Sequence, residues 1–431
     1  MTSAGEGWID VLPEGWYLIP AKAAFTERRE PNWPDDVHLT PSQVHGVLPQ
    51  ADYIARTGKS VVQNLQGQDN MKHVEPDDFI IHLRSFQGGI ERSKYSGKVS
   101  TAYTVLKPSD RVVPSYFRWL LKSNGYIQEL RTTTNQLRDG QSIKFADFAK
   151  VQLPCPPCSE QRVIADYLDR ETARIDTLIE EQRRLIEMLL GRRKAVVEQA
   201  VFSGLDTAPT QSNSESWLPQ TPSHWRVVQL GFVSDTVAGY AFPSDGFSAD
   251  EDHVRLLRGV NVKPGRINWI DTVYWDVQAT SVPSEFVLEV GDLVLGMDRP
   301  FVGGGVRVAA IEGDDLPALL LQRVMRIRPN DEDGRAYMRY VISTDAFFNY
   351  LEPLFTGVSV PHVSEWQVRK FKMPFPPLDE QRQITAYLDQ QTSKIDMLIV
   401  ETERFIELAR ERRSALITAA VTGQIDVREM V

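Results

Sequence analysis

VQLPCPPCSEQRVIADYLDRETARIDTLIEEQRRLIEMLLGRRKAVVEQAVFSGLD, residues 151 to 206, returns 220 positions later as FKMPFPPLDEQRQITAYLDQQTSKIDMLIVETERFIELARERRSALITAAVTGQID, residues 371 to 426, without a gap. Pro154, Pro156, Pro157, Glu160, Gln161 and Arg162 recur as Pro374, Pro376, Pro377, Glu380, Gln381 and Arg382. Tyr167, Leu168, Asp169, Ile175 and Asp176 recur as Tyr387, Leu388, Asp389, Ile395 and Asp396. A period this long duplicates a whole module, unlike the roughly 20–50 residues of a solenoid repeat. The chain is two half-molecules in series.

Each copy reads as one long helix. Steps of four and three from Ile164 through Leu168, Ile175, Leu178, Leu185 and Leu189 to Val196 trace the 3.5-residue seam of a coiled coil. Its breaks at Glu171, Gln182 and Arg192 fall where the second copy has Gln391, Thr402 and Arg412. Matched breaks predict that the helices pair with each other, through Ile164, Leu168, Ile175, Leu178, Leu185 and Leu189 on one side and Ile384, Leu388, Ile395, Leu398, Phe405 and Leu416 on the other. The prolines bar backward extension, Ser159 and Asp379 are the expected N-caps, and Gly204 and Gly423 supply stops. About 44 residues at 1.5 Å each make a rod of roughly 65 Å.

At 431 residues, 42% hydrophobic and 25% charged, the chain suits two modules with real cores. No apolar run is long enough for a transmembrane helix, the N-terminus lacks a signal-peptide core, and two cysteines fit a reducing, cytoplasmic setting. A net charge of −10 argues against nucleic acid, but its distribution does not. Arg84 to Lys150 carries twelve Lys and Arg against five Asp and Glu, whereas residues 221–372 carry fifteen against twenty.

Both modules open with a Trp three residues after a Pro, Trp16 after Pro13 and Trp225 after Pro222. Short β-rich runs follow, among them KSVVQNL, DDFIIHL and STAYTVL, then GDLVLGM, GVRVAAI and LLLQRVMRI. Helical stretches at 112–132 and 334–355 come next, then a polar loop. The expected fold is α+β: two mixed α/β domains, 1–154 and 220–374, with long antiparallel helices at 155–206 and 375–431 and a patternless linker at 207–219.

Catalytic motifs fail one by one. Cys155-Pro-Pro-Cys158 is matched by Phe375 and Leu378, so those positions want apolar side chains, and no second pair completes a zinc site. Thr57-Gly58-Lys59-Ser60 lacks the first glycine of a P-loop, where Tyr53 stands. Gly303-Gly304-Gly305 lacks dinucleotide-fingerprint spacing. Neither PCPPCS nor PFPPLD makes an adenine-methyltransferase base pocket, and Asp77-Asp78 has no downstream nuclease partner. The seven histidines show no ligand spacing.

The repeated PPxxEQR start, YLD one turn on, the later ID and LI, and the half-molecule duplication resemble the specificity subunit of Type I restriction–modification enzymes. GGIERSKYSGKVSTAYTVLKP, preceded by Arg84-Ser85-Phe86-Gln87, is similar to one recurrent target-recognition domain of that family. The resemblance implies two target-recognition domains, each reading half of a bipartite DNA target, with the helix pair as spacer. It implies no catalysis by this chain. Double-stranded DNA, two methyltransferase subunits and further restriction subunits would be the partners, with S-adenosylmethionine, ATP and Mg on those partners.

Base edges are read by Arg or Lys at guanine and Asn or Gln at adenine. Arg84, Ser85, Gln87 and Lys94 form one candidate stretch; Arg131, Asn135, Arg138, Gln141 and Lys144 form another before the helix. The second domain offers Arg258, Lys263, Arg299, Arg307, Arg323 and His362. The rivals are a self-contained adenine methyltransferase-nuclease, which lacks its motifs, and a purely structural coiled-coil adaptor, which needs neither large domain.

Overall fold

Two prolines cannot donate the backbone bonds that would carry a helix backward, and both long helices begin immediately after such a pair. In the computed structural model they span Cys158–Ser203 and Leu378–Val421. The structure describes residues 8–9, 11–59, 71–82, 89–133, 143–303, 305–331, 334–356 and 360–428. The helices start two residues earlier than expected, because Pro157 and Pro377, rather than Ser159 and Asp379, accept the first helical bond, from the amides of Gln161 and Gln381. The Gln161 side chain completes the start by donating to the Pro156 carbonyl at 2.8 Å, as Gln381 does to Pro376 at 2.9 Å. The preceding Glu ties down the module's opening: Glu160 accepts from the Trp16 indole at 3.0 Å and Glu380 from that of Trp225 at 2.8 Å. Gly204 and Gly423 lie past the C-terminal ends at φ 76° and 75°, the left-handed conformation that stops a helix.

The buried stripe keeps the 3.5-residue period but in a different phase. It runs through Gln161, Ala165, Leu168, Thr172, Ile175, Ile179, Gln182, Ile186, Leu189, Arg193, Val196 and Ala200, each buried or half-buried. The second helix repeats it, from Gln381, Leu388, Thr392 and Ile395 through Ile399, Ile406 and Ala409 to Ala420. Four expected interface residues therefore move out: Leu178, Leu185, Leu398 and Phe405 are 37%, 36%, 49% and 40% exposed. The reason is steric and polar together. Ile179 and Ile186 offer apolar volume one step along, and this phase passes over Thr172 instead of Glu171. Thr172 and Thr392 satisfy their hydroxyls on the carbonyls of Leu168 and Leu388, so they enter the stripe without an open hydrogen bond. Ile164, Leu168, Ile175, Leu189, Ile384, Leu388, Ile395 and Leu416 remain buried or half-buried.

The chain divides into two compact units, Met1–Arg183 with Glu403–Val431, and Arg184–Thr402. Each contains the start of one long helix and the end of the other, running antiparallel. In the first unit Arg413 grips Asp176 through two bonds of 2.9 and 3.2 Å; in the second Arg193 grips Asp396 at 2.8 and 3.3 Å. These are the same two residues of the repeat with their copies exchanged.

The first unit's central sheet has the antiparallel order Phe25–Glu27, Thr104–Pro108, Phe79–Ile81, Ile90–Arg92. The second unit repeats it as Ser234–Ala238, Val324–Pro329, Leu293–Gly296, Val308–Ala310. In both units one further strand pair ties the opening to the segment before the long helix, Tyr17–Pro20 on Gln152–Cys155 and Arg226–Gln229 on Lys372–Phe375. Helices Pro114–Leu120 and Asn124–Thr132, or Arg335–Val341 and Asp345–Leu351, cover the sheet. Ser123 and Thr344 cap the second of each pair.

The first core joins Phe25, Phe79, Tyr116 and Phe117 to Ile164 and Leu168 of one long helix and Ile417 and Val421 of the other. The second joins Leu295, Tyr337 and Phe347 to Val197, Val201, Ile384 and Leu388. The expected linker is built into the fold: Thr210–Gln211 pairs with Thr221–Pro222, and the Gln211 amide donates to the Trp225 carbonyl at 2.9 Å. Most of the run KSVVQNL lies outside the described residues.

Candidate nucleic-acid interface

The site is best defined in the second unit, where it grows from the end of the strand Leu293–Gly296. Asp292, fully buried, holds the strand's start by accepting two bonds from Arg328, at 2.6 and 2.8 Å, and one from the Glu289 amide at 2.8 Å. The first unit reaches the same arrangement with Asp78, which accepts from Arg28 at 2.6 and 3.1 Å and from the Glu75 amide at 2.9 Å. Asp78 is thus a strand anchor, whose partner arginine comes from a different place in the chain, just past the strand Phe25–Glu27. Burial raises the Asp78 pKa, opposed by the Arg28 pair.

Beyond Gly296 the chain turns outward through Met297–Pro300. Arg299 has φ 45° and Arg323, on the neighbouring turn, φ 69°, both left-handed and rare for residues with a Cβ. Three crossings hold these turns together. The Arg299 amide donates to Pro361 at 2.7 Å, the Met297 amide to Arg323 at 2.9 Å, and the Val363 amide to Met297 at 3.0 Å. His362 bonds Thr356 through its ring at 2.8 Å and through its backbone.

Arg307 lies beneath. It is not the solvent-facing contact expected from the sequence, because its side chain is buried and spent on backbone carbonyls. Its Nε donates to Val262 at 3.0 Å, and its Nη1 to Asp298 at 2.6 Å and Arg299 at 3.4 Å. Burial lowers its pKa, opposed by Asp298. The Val262 bond brings in the hairpin Val262–Lys263 and Arg266–Ile267, whose turn residue Gly265 donates to Val308 at 2.8 Å. A Cβ on Gly259, the residue after Arg258, would lie 3.5 Å from an Arg307 terminal nitrogen. The other five candidates of this domain therefore lie on segments joined, directly or through one further backbone bond, to the buried Arg307 guanidinium.

Their charges differ in availability. Arg258 is half-buried and paired with Asp271 at 2.9 Å. Arg323 is 59% exposed and meets Asp298 at 3.5 Å. Arg299 is exposed, Lys263 half-buried, and neither has an acidic partner among the described residues. Arg266, at the exposed end of the Lys-Pro-Gly-Arg turn, belongs to this surface and was missed; a Pro-Gly turn flanked by two cations was the available signal. Arg326 and Arg328, basic in sequence, are consumed by Asp235 and Asp292.

In the first unit Lys94 is exposed after the strand Ile90–Arg92, Arg131 in the last turn of Asn124–Thr132, and Lys144 ahead of Phe145–Phe148. Arg84, Ser85, Gln87, Asn135, Arg138 and Gln141 lie outside the described residues.

Cys155 and Cys158 are free thiols beside a shallow cavity of about 330 Å³ lined by Tyr17, Ile19 and Pro156. Burial pushes the Cys155 thiol up, the opposite of the lowered pKa that marks a reactive cysteine. Among the described residues no three His, Cys, Asp or Glu group as metal ligands, and no helix is long and apolar enough to cross a membrane.

Comparison with known proteins follows the same duplication. The family described as Type I restriction modification DNA specificity domain matches residues 38–188 and again 261–403. The chain is 28% identical over 295 residues to the Type I restriction enzyme MjaVIII specificity subunit of Methanocaldococcus jannaschii, covering 68% of this chain and 67% of that protein. It is 28% identical over 232 residues to the EcoAI specificity subunit of Escherichia coli, of which it spans 39%. Over 452 residues it is 22% identical to the StySPI specificity subunit of Salmonella potsdam, covering 96% and 90%. Among solved structures, a chain from work on complex assembly and conformational transition of the type I R-M system aligns over 96% of this chain and 100% of its own, at TM-score 0.73 and 16% identity. The HsdS subunit of Thermoanaerobacter tengcongensis aligns over 98% and 100%, at TM-score 0.56 and 18% identity.

Proposed function

The chain belongs to the family of Type I restriction–modification DNA specificity subunits, non-catalytic components of DNA recognition, and we propose that its two domains each read one half of a bipartite double-stranded DNA target. One observation carries this. The residues that repeat between the modules are spent on the frame, while the cations of the second domain that do not repeat gather on one surface. Glu160, Gln161, Asp169 and Asp176 all have internal partners, as do Glu380, Gln381, Asp389 and Asp396. A protein that keeps its scaffold and varies its reading loops can join two unrelated half-sites. Spacing between half-sites then follows from rigid elements rather than base contacts.

The same reading makes the long helices a scaffold for two methyltransferase subunits. Its support is apolar surface left uncovered: Leu178, Phe405 and Leu408 in the first unit, and Leu185, Met188 and Leu398 in the second. Restriction subunits would join that core in the cytoplasm. S-adenosylmethionine, ATP and Mg belong to those partners.

Exchange of residues 14–150 for the corresponding domain of a relative tests the division of labour. Methylome sequencing should then show one half of the modified motif changed and the other intact. A change in both halves would sink the proposal.

A further inference from the structure

Resting on that half-site reading, we infer that Arg299 is a guanine-reading, specificity-determining residue of the second domain, and that buried Arg307 is the positioning residue that aims it. Phosphates and base edges make different demands on a cation. A phosphate is served by any mobile charge that reaches it, whereas a base edge needs the guanidinium fork presented from a fixed direction. Among the cations of this surface only Arg299 meets the second demand with its charge free. Arg258 and Arg323 face Asp271 and Asp298. Lys263 is a single-point ammonium, and Arg266 follows a glycine turn at a hairpin tip.

Arg299 is exposed and has no side-chain partner among the described residues, yet its backbone is held from several sides. Its left-handed φ of 45° is a conformation that a residue with a Cβ keeps only when its surroundings impose it. Those surroundings are largely Arg307. The Arg307 amide donates to Pro300 at 2.7 Å, and its Nη1 reaches the carbonyls of Asp298 and Arg299, the residues on either side of the turned-out peptide. Its Nε anchors the group to Val262. Room for the guanidinium comes from Gly296, where a Cβ would lie 3.1 Å from the Arg307 Cζ. One buried cation thus fastens the turn to the neighbouring hairpin, and Arg299 projects from a rigid base.

Methylome sequencing of cells carrying the full chain with its cognate methyltransferase subunits provides the test. Arg299→Ala should relax one G·C position in one half of the motif, with discrimination there reduced roughly 10- to 100-fold and the other half unchanged. Arg307→Met should relax the same position, and the double variant should relax it no further. Where Arg307→Met fails to assemble, Arg307→Lys, which retains the buried charge but not the fork, should give the same single-position effect. An unchanged motif in Arg299→Ala would overturn the assignment while leaving the half-site reading intact. So would a uniform loss at every position, the signature of a phosphate contact. Relaxation elsewhere in either Arg307 variant would overturn the positioning role. Methylation without sequence preference by the wild type would overturn both this inference and the reading beneath it.

Discussion

In both modules a tyrosine hydroxyl reaches a carbonyl near the end of a long helix: Tyr116 to Val421 at 2.9 Å, Tyr337 to Val201 at 3.1 Å. Each tyrosine comes from one module and each helix end from the other copy of the repeat. At the same place in the two sheets, however, the first module buries Glu91 opposite Ile80 and the second buries Ala309 opposite Val294. The agreement falls on residues that join domain to helix, and the divergence on residues inside a domain. Assembly therefore constrains the joints, while each domain solves its own interior and surface.

The largest effect expected from breaking this symmetry lies in the buried stripe. Ile179→Ala should cost about 2–4 kcal/mol in the isolated chain, because its neighbours cannot fully collapse onto the gap. Leu178→Ala should cost below about 1 kcal/mol, since that side chain is already 37% exposed. The copy in the second unit sets the same contrast between half-buried Ile399 and exposed Leu398. Denaturant unfolding of the four variants measures it. Larger losses at the leucines than at the adjacent isoleucines would put the stripe back in the phase first expected.

Glu91 sharpens the comparison through pH, because Ala309 has nothing to titrate. Burial raises the Glu91 pKa from 4.5 to about 7, against the opposing pull of Lys122 at 2.6 Å. The folded chain therefore holds a proton that the unfolded chain releases, and stability from this group is full below about 4.5 and lost as pH rises through about 7. The difference is on the order of 3 kcal/mol. Glu91→Gln should flatten the stability profile between those limits, as read by thermal unfolding at several pH values. A profile unchanged by the substitution would mean that Glu91 is ionised throughout.

Much of the frame was legible because the sequence states it twice. Helix stops and period follow from the terminal glycines and the apolar steps, and PPxxEQR places the starts to within two residues. The phase was not, because Leu178-Ile179 and Leu185-Ile186 fill both alternatives equally well. Thr172, moreover, reads as polar until its hydroxyl is seen closing on its own helix. The surface of the second domain was legible as a set of residue types, but Arg307 and Arg299 are indistinguishable in a string. What separates them is the space left by Gly296, a property of how two distant strands meet. Asp78 and Asp292 likewise share a role that sequence cannot align with their partners, since Arg28 follows the strand Phe25–Glu27 while Arg328 lies within Val324–Pro329.

The smallest expected effect asks whether the repeat is energetically as well as geometrically symmetric. Arg413–Asp176 and Arg193–Asp396 are equivalent, two-bond and substantially exposed, with acidic partners 53% and 51% accessible. Exposed pairs of this kind contribute roughly 0.2–1 kcal/mol, because water screens the attraction and ordering two long side chains opposes it. Double-mutant cycles with alanine at each pair should therefore give small couplings of similar size, both shrinking at high salt. Their main effect is then on register: an antiparallel helix pair that slips by one turn loses both at once. A large, salt-insensitive coupling at only one pair would show that the two halves, alike in geometry, are held together differently.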